Sequence, residues 1–137
     1  MESLLKKQAD EIIHSDEWKE KLVINSIGVA GEMYLVDTPF VDSMNDCIQL
    51  WIDRRSGDVV CDDGYIAYDL LNITCSYDVS EKAVREYAAK HGIDFGKAGD
   101  DVLSVPVEFN NRMDIENKVQ NLILAQLELE DRFIQKK

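Results

Sequence analysis

Basic side chains are scarce in the middle of this 137-residue chain. No lysine lies between Lys21 and Lys82, and Arg54 and Arg55 are the only cations from position 22 to position 80. Ten acids share that stretch (Glu32, Asp37, Asp42, Asp46, Asp53, Asp58, Asp62, Asp63, Asp69 and Asp78), so it stands at −8 within a chain of net charge −12. Nucleic acids and anionic lipids are held by clustered Lys and Arg, and a surface of the opposite sign repels both. The charge therefore argues against direct nucleic-acid or membrane binding, unless a divalent cation neutralises some carboxylates. It favours a basic protein surface as partner.

Long apolar runs are missing too. Leu122-Ile123-Leu124-Ala125 is among the longest, far short of the roughly 20 residues that span a bilayer. The opening MESLLKKQADEII carries acids and lacks an apolar core, so no signal peptide is expected and a cytoplasmic location is. Cysteine is sparse and scattered: Cys47, Cys61 and Cys75 form no Cys-x-x-Cys pair, and His14 and His91 lie far from them in sequence. That spacing argues against zinc and for free thiols. No cofactor fingerprint is present, and no linker-like or low-complexity segment divides the chain. With 45% hydrophobic and 31% charged residues, positions 1–137 read as one globular domain.

What is present is periodicity. Leu4, Leu5, Ala9, Ile12 and Ile13 fall at helical spacing, opposite Lys7, Asp10, Glu11 and His14, and predict an amphipathic helix over 3–14 that Trp18 and Leu22 close. Val23–Ile27 and Glu32–Val36 read as strands, the second stopped by Thr38-Pro39-Phe40, since proline offers no ladder donor. Asp46–Ile52 alternates, with Ile48, Leu50 and Ile52 on one face and Cys47, Gln49 and Trp51 on the other. Arg54–Asp58 is turn chemistry, and Val59-Val60-Cys61 makes the returning strand of a hairpin. A short helix is expected from the Asp-Asp-Gly-Tyr turn to Leu71, capped by Asp62 or Asp63.

Further on, Ser80 reads as the cap of a helix over Glu81–His91, with Val79 and Val84 as a hydrophobic staple, Val84, Tyr87 and Ala88 inward, and Gly92 as its stop. Val102–Val107 is apolar enough for a strand, which Pro106 would confine to a sheet edge. Asp114–Ile134 is a long helix whose apolar sector (Ile115, Val119, Leu122, Ile123 and Phe133, widened by Leu124 and Leu127) exceeds a single stripe. Such a face packs deeply or meets a second copy in a homodimer. The predicted class is α+β: a mainly antiparallel sheet with an N-terminal, a middle and a long C-terminal helix.

The segment TPFVDSMNDCIQLWIDRRSGDVVCDDGY, residues 38–65, resembles the bacterial and phage family known only as domain of unknown function 1828. The resemblance rests on Thr38, Pro39, Phe40, Asp42, Asn45, Asp46, Ile48, Leu50, Asp62, Asp63, Gly64 and Tyr65, with Leu70 downstream and weaker similarity running into NLILAQLELED. Cys61 stands where a hydroxyl residue is common in that family. The resemblance implies a prokaryotic or prophage origin and attaches no activity to the fold.

Two constellations could carry chemistry. Antiparallel pairing of the hairpin would bring Asp46 to the same end of the sheet as Asp62 and Asp63, with Asp42 nearby, and such carboxylates could hold Mg²⁺ and activate water on a phosphodiester. The Glu-x-Lys strand that often completes such nuclease sites is missing: Asp46 is followed by Cys47-Ile48-Gln49. Turn formation and helix capping explain the same acids without an ion. A thiol nucleophile, Cys47 or Cys61 with His14 or His91 as base, is disfavoured because Asp46 and Asp62 adjoin those cysteines and oppose a thiolate. His91 suits the end of a helix dipole instead.

The expectation is a non-enzymatic acidic interaction module of bacterial or prophage origin, without catalytic residues or cofactor, which binds another protein through its acidic sheet region. The alternative is a Mg²⁺-dependent nuclease or hydrolase with Asp46, Asp62 and Asp63 as metal ligands.

Overall fold

The computed structural model describes residues 4–27, 31–41, 46–55, 57–62, 81–98 and 102–133. Helix α1 (Leu4–His14) and the single turn α2 (Glu17–Glu20) lead into β1 (Val23–Ile27), β2 (Met33–Val41), β3 (Cys47–Asp53) and β4 (Val59–Cys61). Then come α3 (Glu81–Lys90), β5 (Asp94–Phe95), β6 (Leu103–Pro106) and α4 (Arg112–Phe133). The strands make one antiparallel sheet in the order β1-β2-β3-β4-β6-β5. The class is α+β, with the N-terminal, middle and long C-terminal helices in their expected places.

Register divides the sheet into two faces. Val36 pairs with Leu50, Tyr34 with Ile52, Ile52 with Val60 and Val60 with Val105, so these side chains share the inner face. They join Leu5 and Ile12 of α1, Tyr87 of α3, and Ile115, Val119, Leu122, Ile123, Leu127 and Leu129 of α4 in one core. Burial of each such aliphatic side chain contributes roughly 1.5–3 kcal/mol. Ile115, Val119, Leu122, Ile123 and Leu127 of α4 are buried within the chain, because this helix packs on α1 as well as on β4 and β6. Trp18 locks the opposite corner: its indole N–H donates to the Ile12 carbonyl at 3.3 Å, and its ring meets Phe40 edge-on at 5.8 Å. Gly92, at φ +70°, turns the chain out of α3, in a region that side chains with a Cβ rarely adopt.

Three expectations about local structure need correction. On α1, Leu4 and Ile13 are 54% and 55% exposed, while Gln8 is buried beside Leu5 and Ile12. The buried stripe therefore runs 5, 8, 12, and its polar member has a task described below. Strand β2 does not stop at Thr38-Pro39-Phe40 but continues to Val41. β1 reaches only as far as Asp37, and the β2–β3 register shifts between Asp37 and Val41, so proline falls where no donor is needed. Thr38 bridges the irregularity: its hydroxyl donates to the Ile48 carbonyl at 2.7 Å and accepts from the Phe40 amide at 3.4 Å.

Pro106 does not put β6 at the edge either. β6 lies between β4 and β5. The Val107 amide donates to Asp58 and the Asp62 amide to Leu103, so Pro106, between those bonded pairs, turns its nitrogen away from β4. On that side β5 pairs only with Leu103 and Ser104, and proline again meets no unsatisfied partner. The expected cap at Ser80, the staple residue Val79 and the helix up to Leu71 lie outside the described residues.

Candidate functional site

Asp42 and Asp63 lie outside the described residues. Asp46 is exposed just before β3. Continuing the Trp51↔Cys61 register by one residue sets Asp62 level with Leu50, four positions from Asp46. At about 3.3 Å per residue, that separates the two along the sheet by roughly 13 Å. Among the described residues no group of three His, Cys, Asp or Glu side chains is placed to hold a metal ion.

Asp62 is 3% exposed, on the inner side of the sheet. Its backbone N–H donates to the Leu103 carbonyl at 3.0 Å, and its Oδ1 accepts from the Leu103 N–H at 2.9 Å. The carboxylate thus takes the place its own carbonyl would hold in a β pair. Oδ2 accepts from Gln126 Nε2 at 3.1 Å, which ties the end of β4 to the middle of α4. Both oxygens serve long-range ties to Leu103 and Gln126, neither of which the sequence suggests. A buried carboxylate is stable only when so satisfied.

The rest of the acidic segment is partly neutralised. Arg55 grips Asp53 with a two-point fork, Nε to Oδ1 at 3.1 Å and Nη2 to Oδ2 at 2.9 Å. Arg54 bonds Asp58 at 3.0 Å and lies 4.0 Å from the centre of the Phe109 ring. The hydrogen bond from Arg55 holds the Asp53 carboxyl below its ordinary value, and Asp58 raises Arg54. Glu32 and Asp46 remain exposed, and Asp37 is half-exposed with Gln49 Nε2 donating to it at 2.7 Å.

The outer face of the sheet gathers these groups around apolar side chains that stand outside the core. Register aligns Asn25, Leu35, Trp51, Cys61, Ser104 and Asp94 in one row, with Val23, Asp37 and Gln49 on one side of it. Ile27, Met33, Asp53, Val59 and Pro106 form the row on the other side. Leu35, Trp51 and Met33 are half-exposed, and Val23 is 49% exposed. At the β5 end this face sinks into a cavity of about 460 Å³, walled by Asp53, Arg55, Val59, Asp94, Lys97 and Ser104 among others. Sequence reasoning passed over the cavity because its walls come from segments up to about fifty positions apart. Only the β4–β6–β5 register joins them.

The thiol and imidazole candidates are dispersed. Cys47 is exposed at the start of β3, and Cys61 is buried at the end of β4. His14 ends α1, and His91 follows α3 with its ring 4.4 Å from that of Tyr87. Beside this pair a smaller cavity of about 80 Å³ separates α3 from α4, where Tyr87 donates its hydroxyl to Glu128 at 2.7 Å. That bond fastens the two helices, and the space beside it is too small for a metabolite-sized ligand. Among the described residues no helix is long and apolar enough to cross a membrane.

A family model described as Domain of unknown function DUF1828 matches residues 38–128, well over half of the chain. The match runs from Thr38 in β2 to Glu128 in α4 and leaves out α1, α2 and β1. No curated protein and no solved structure matches the chain.

Proposed function

The chain belongs to the DUF1828 family, and we propose that it acts as a non-enzymatic interaction module that binds a basic protein partner through the outer face of its sheet. The observation that carries this reading is the company Trp51 keeps. Leu35 and Cys61 flank it in its row, and Asp37 with Gln49 and Met33 with Asp53 stand in the rows on either side. A half-exposed tryptophan amid aliphatic side chains and carboxylates has the make-up of a binding hot spot, with the aromatic ring as anchor and the acids selecting a cationic partner. Engagement of both Asp62 oxygens by Leu103 and Gln126 supports the non-catalytic side of the proposal. A bacterial or prophage origin and a cytoplasmic setting complete it.

The test is affinity capture from a bacterial lysate with wild type, Asp37→Lys and Trp51→Ala in parallel, each washed at low and high salt. A partner of high isoelectric point should be recovered by wild type at low salt and lost with either substitution. Its recovery should also fall at about 0.5 M salt, where charges are screened over a few ångströms. A protein retained equally by all three baits, whatever the salt, would overturn the assignment.

A further inference from the structure

Ser104 is 1% exposed, yet among the described residues its hydroxyl makes no hydrogen bond. It stands on the outer face between Cys61 and Asp94, at the wall of the 460 Å³ cavity. A buried hydroxyl without a partner is unfavourable, so native structures rarely leave one unless something else completes it. The same cavity holds two further groups with no ion-pair partner among the described residues, Asp94 and Lys97. Its other pair of charges, Asp53 and Arg55, is already mutually satisfied.

We propose that this cavity binds a small zwitterion, a free amino acid or a dipeptide, through Asp94, Lys97 and Ser104. The charges select the class. An anion alone would face the open carboxylate of Asp94, and a cation alone the ammonium of Lys97. A ligand carrying both an ammonium and a carboxylate answers each with its opposite, and either end can bond the Ser104 hydroxyl. Val59, Ala98 and Pro106 supply an apolar wall for its side chain. The volume falls within the range of about 300–1,000 Å³ usual for small-molecule sites. The site shares Asp53 with the partner-binding face, but Asp94, Lys97 and Ser104 take no part in that reading, so either can fail without the other.

The test is a titration of the ¹⁵N-labelled full chain with leucine, with alanyl-leucine, and with N-acetyl-alanyl-leucine amide, which has the same side chains and neither charge. Saturable shifts confined to residues 53–59, 94–98 and 103–106 are expected with one or both zwitterions and none with the blocked compound. The stronger of the two zwitterions identifies the size of ligand. Asp94→Asn, Lys97→Gln and Ser104→Ala should each weaken binding about tenfold or more. Ser104→Ala removes an unsatisfied hydroxyl and should melt no lower than wild type, so its binding loss is not a folding loss. Absence of saturable binding, equal binding of the blocked compound, or unaltered affinity in Ser104→Ala would each overturn the proposal.

Discussion

The side-chain amide of Gln8 makes both hydrogen bonds of a strand partner with Val41: Nε2 donates to the carbonyl at 2.8 Å, and Oε1 accepts from the amide at 2.9 Å. A helix thereby supplies what β1 is too short to give, and α1 is fastened to the sheet where β2 bulges. Gln8→Ala strands both backbone groups in a half-buried position and should cost about 1–3 kcal/mol. Gln8→Glu keeps the acceptor but turns an oxygen toward the Val41 carbonyl, and should also destabilise. Urea denaturation checks both; an unchanged midpoint in Gln8→Ala would mean that water replaces the amide.

Asp62 separates two roles by its response to two substitutions. As a structural acceptor, Asp62→Ala leaves the Leu103 N–H and the Gln126 amide unsatisfied in the core, at a cost of about 2–4 kcal/mol. Asp62→Asn retains an oxygen for Leu103, and a flipped Gln126 amide can accept from its new NH₂ group, so the loss should be clearly smaller. Calorimetric titration with Mg²⁺ should give no saturable heat in wild type. Saturable binding abolished by Asp62→Asn would reinstate the hydrolase alternative.

The pH dependence of stability should carry the mark of Asp53. The hydrogen bond from Arg55 lowers its folded pKa beneath the ordinary carboxylate value, so the deprotonated form is favoured in the native state. Its contribution is therefore complete above about pH 4 and fades as pH falls through the lower, folded value. Asp53→Asn should melt below wild type at pH 7, and the gap should narrow as the pH falls through the lowered, folded value. Melting curves across the acid range decide; a gap that persists undiminished in acid would mean the loss is not one of charge.

Asn111 caps α4 by accepting from the Asp114 N–H at 3.1 Å, while Asp114 Oδ2 reaches back to the Glu108 N–H at 2.7 Å. The Glu108 amide, with Lys118 assisting, holds Asp114 below its usual carboxylate value. Asn111→Ala should cost about 1 kcal/mol, and Asn111→Ser much less. Equal denaturation midpoints for the two variants would show that the cap is dispensable.

The parts of the fold legible in the sequence were those with a local period. The alternation of Ile48, Leu50 and Ile52 located β3 and its buried face, and the turn chemistry of residues 54–58 led to Val59-Val60-Cys61 as the returning strand. The 3.6-residue spacing of α4 survived even though its sector looked too wide, because one helix faces two neighbours. What was not legible depended on distant partners. Gln8 drew no notice because its acceptor lies 33 positions away. Pro106 looked like an edge residue because the brevity of β5 leaves no trace in the sequence around it.

The charge tally misled in the same way. Counting the segment at −8 treated every acid as a surface group. Two of its acids meet the only two arginines within four residues, and Asp62 is interior. Asp94, Lys97 and Ser104 went unremarked, since three common polar residues separated by up to ten positions carry no pattern. Only the sheet order makes neighbours of them.

Pro106 has one more effect, on how copies of the molecule treat each other. Where β6 outruns β5, an incoming strand would find the Pro106 carbonyl but no amide hydrogen beside it. Half of that would-be ladder rung is lacking, which disfavours edge-on pairing between molecules at this position.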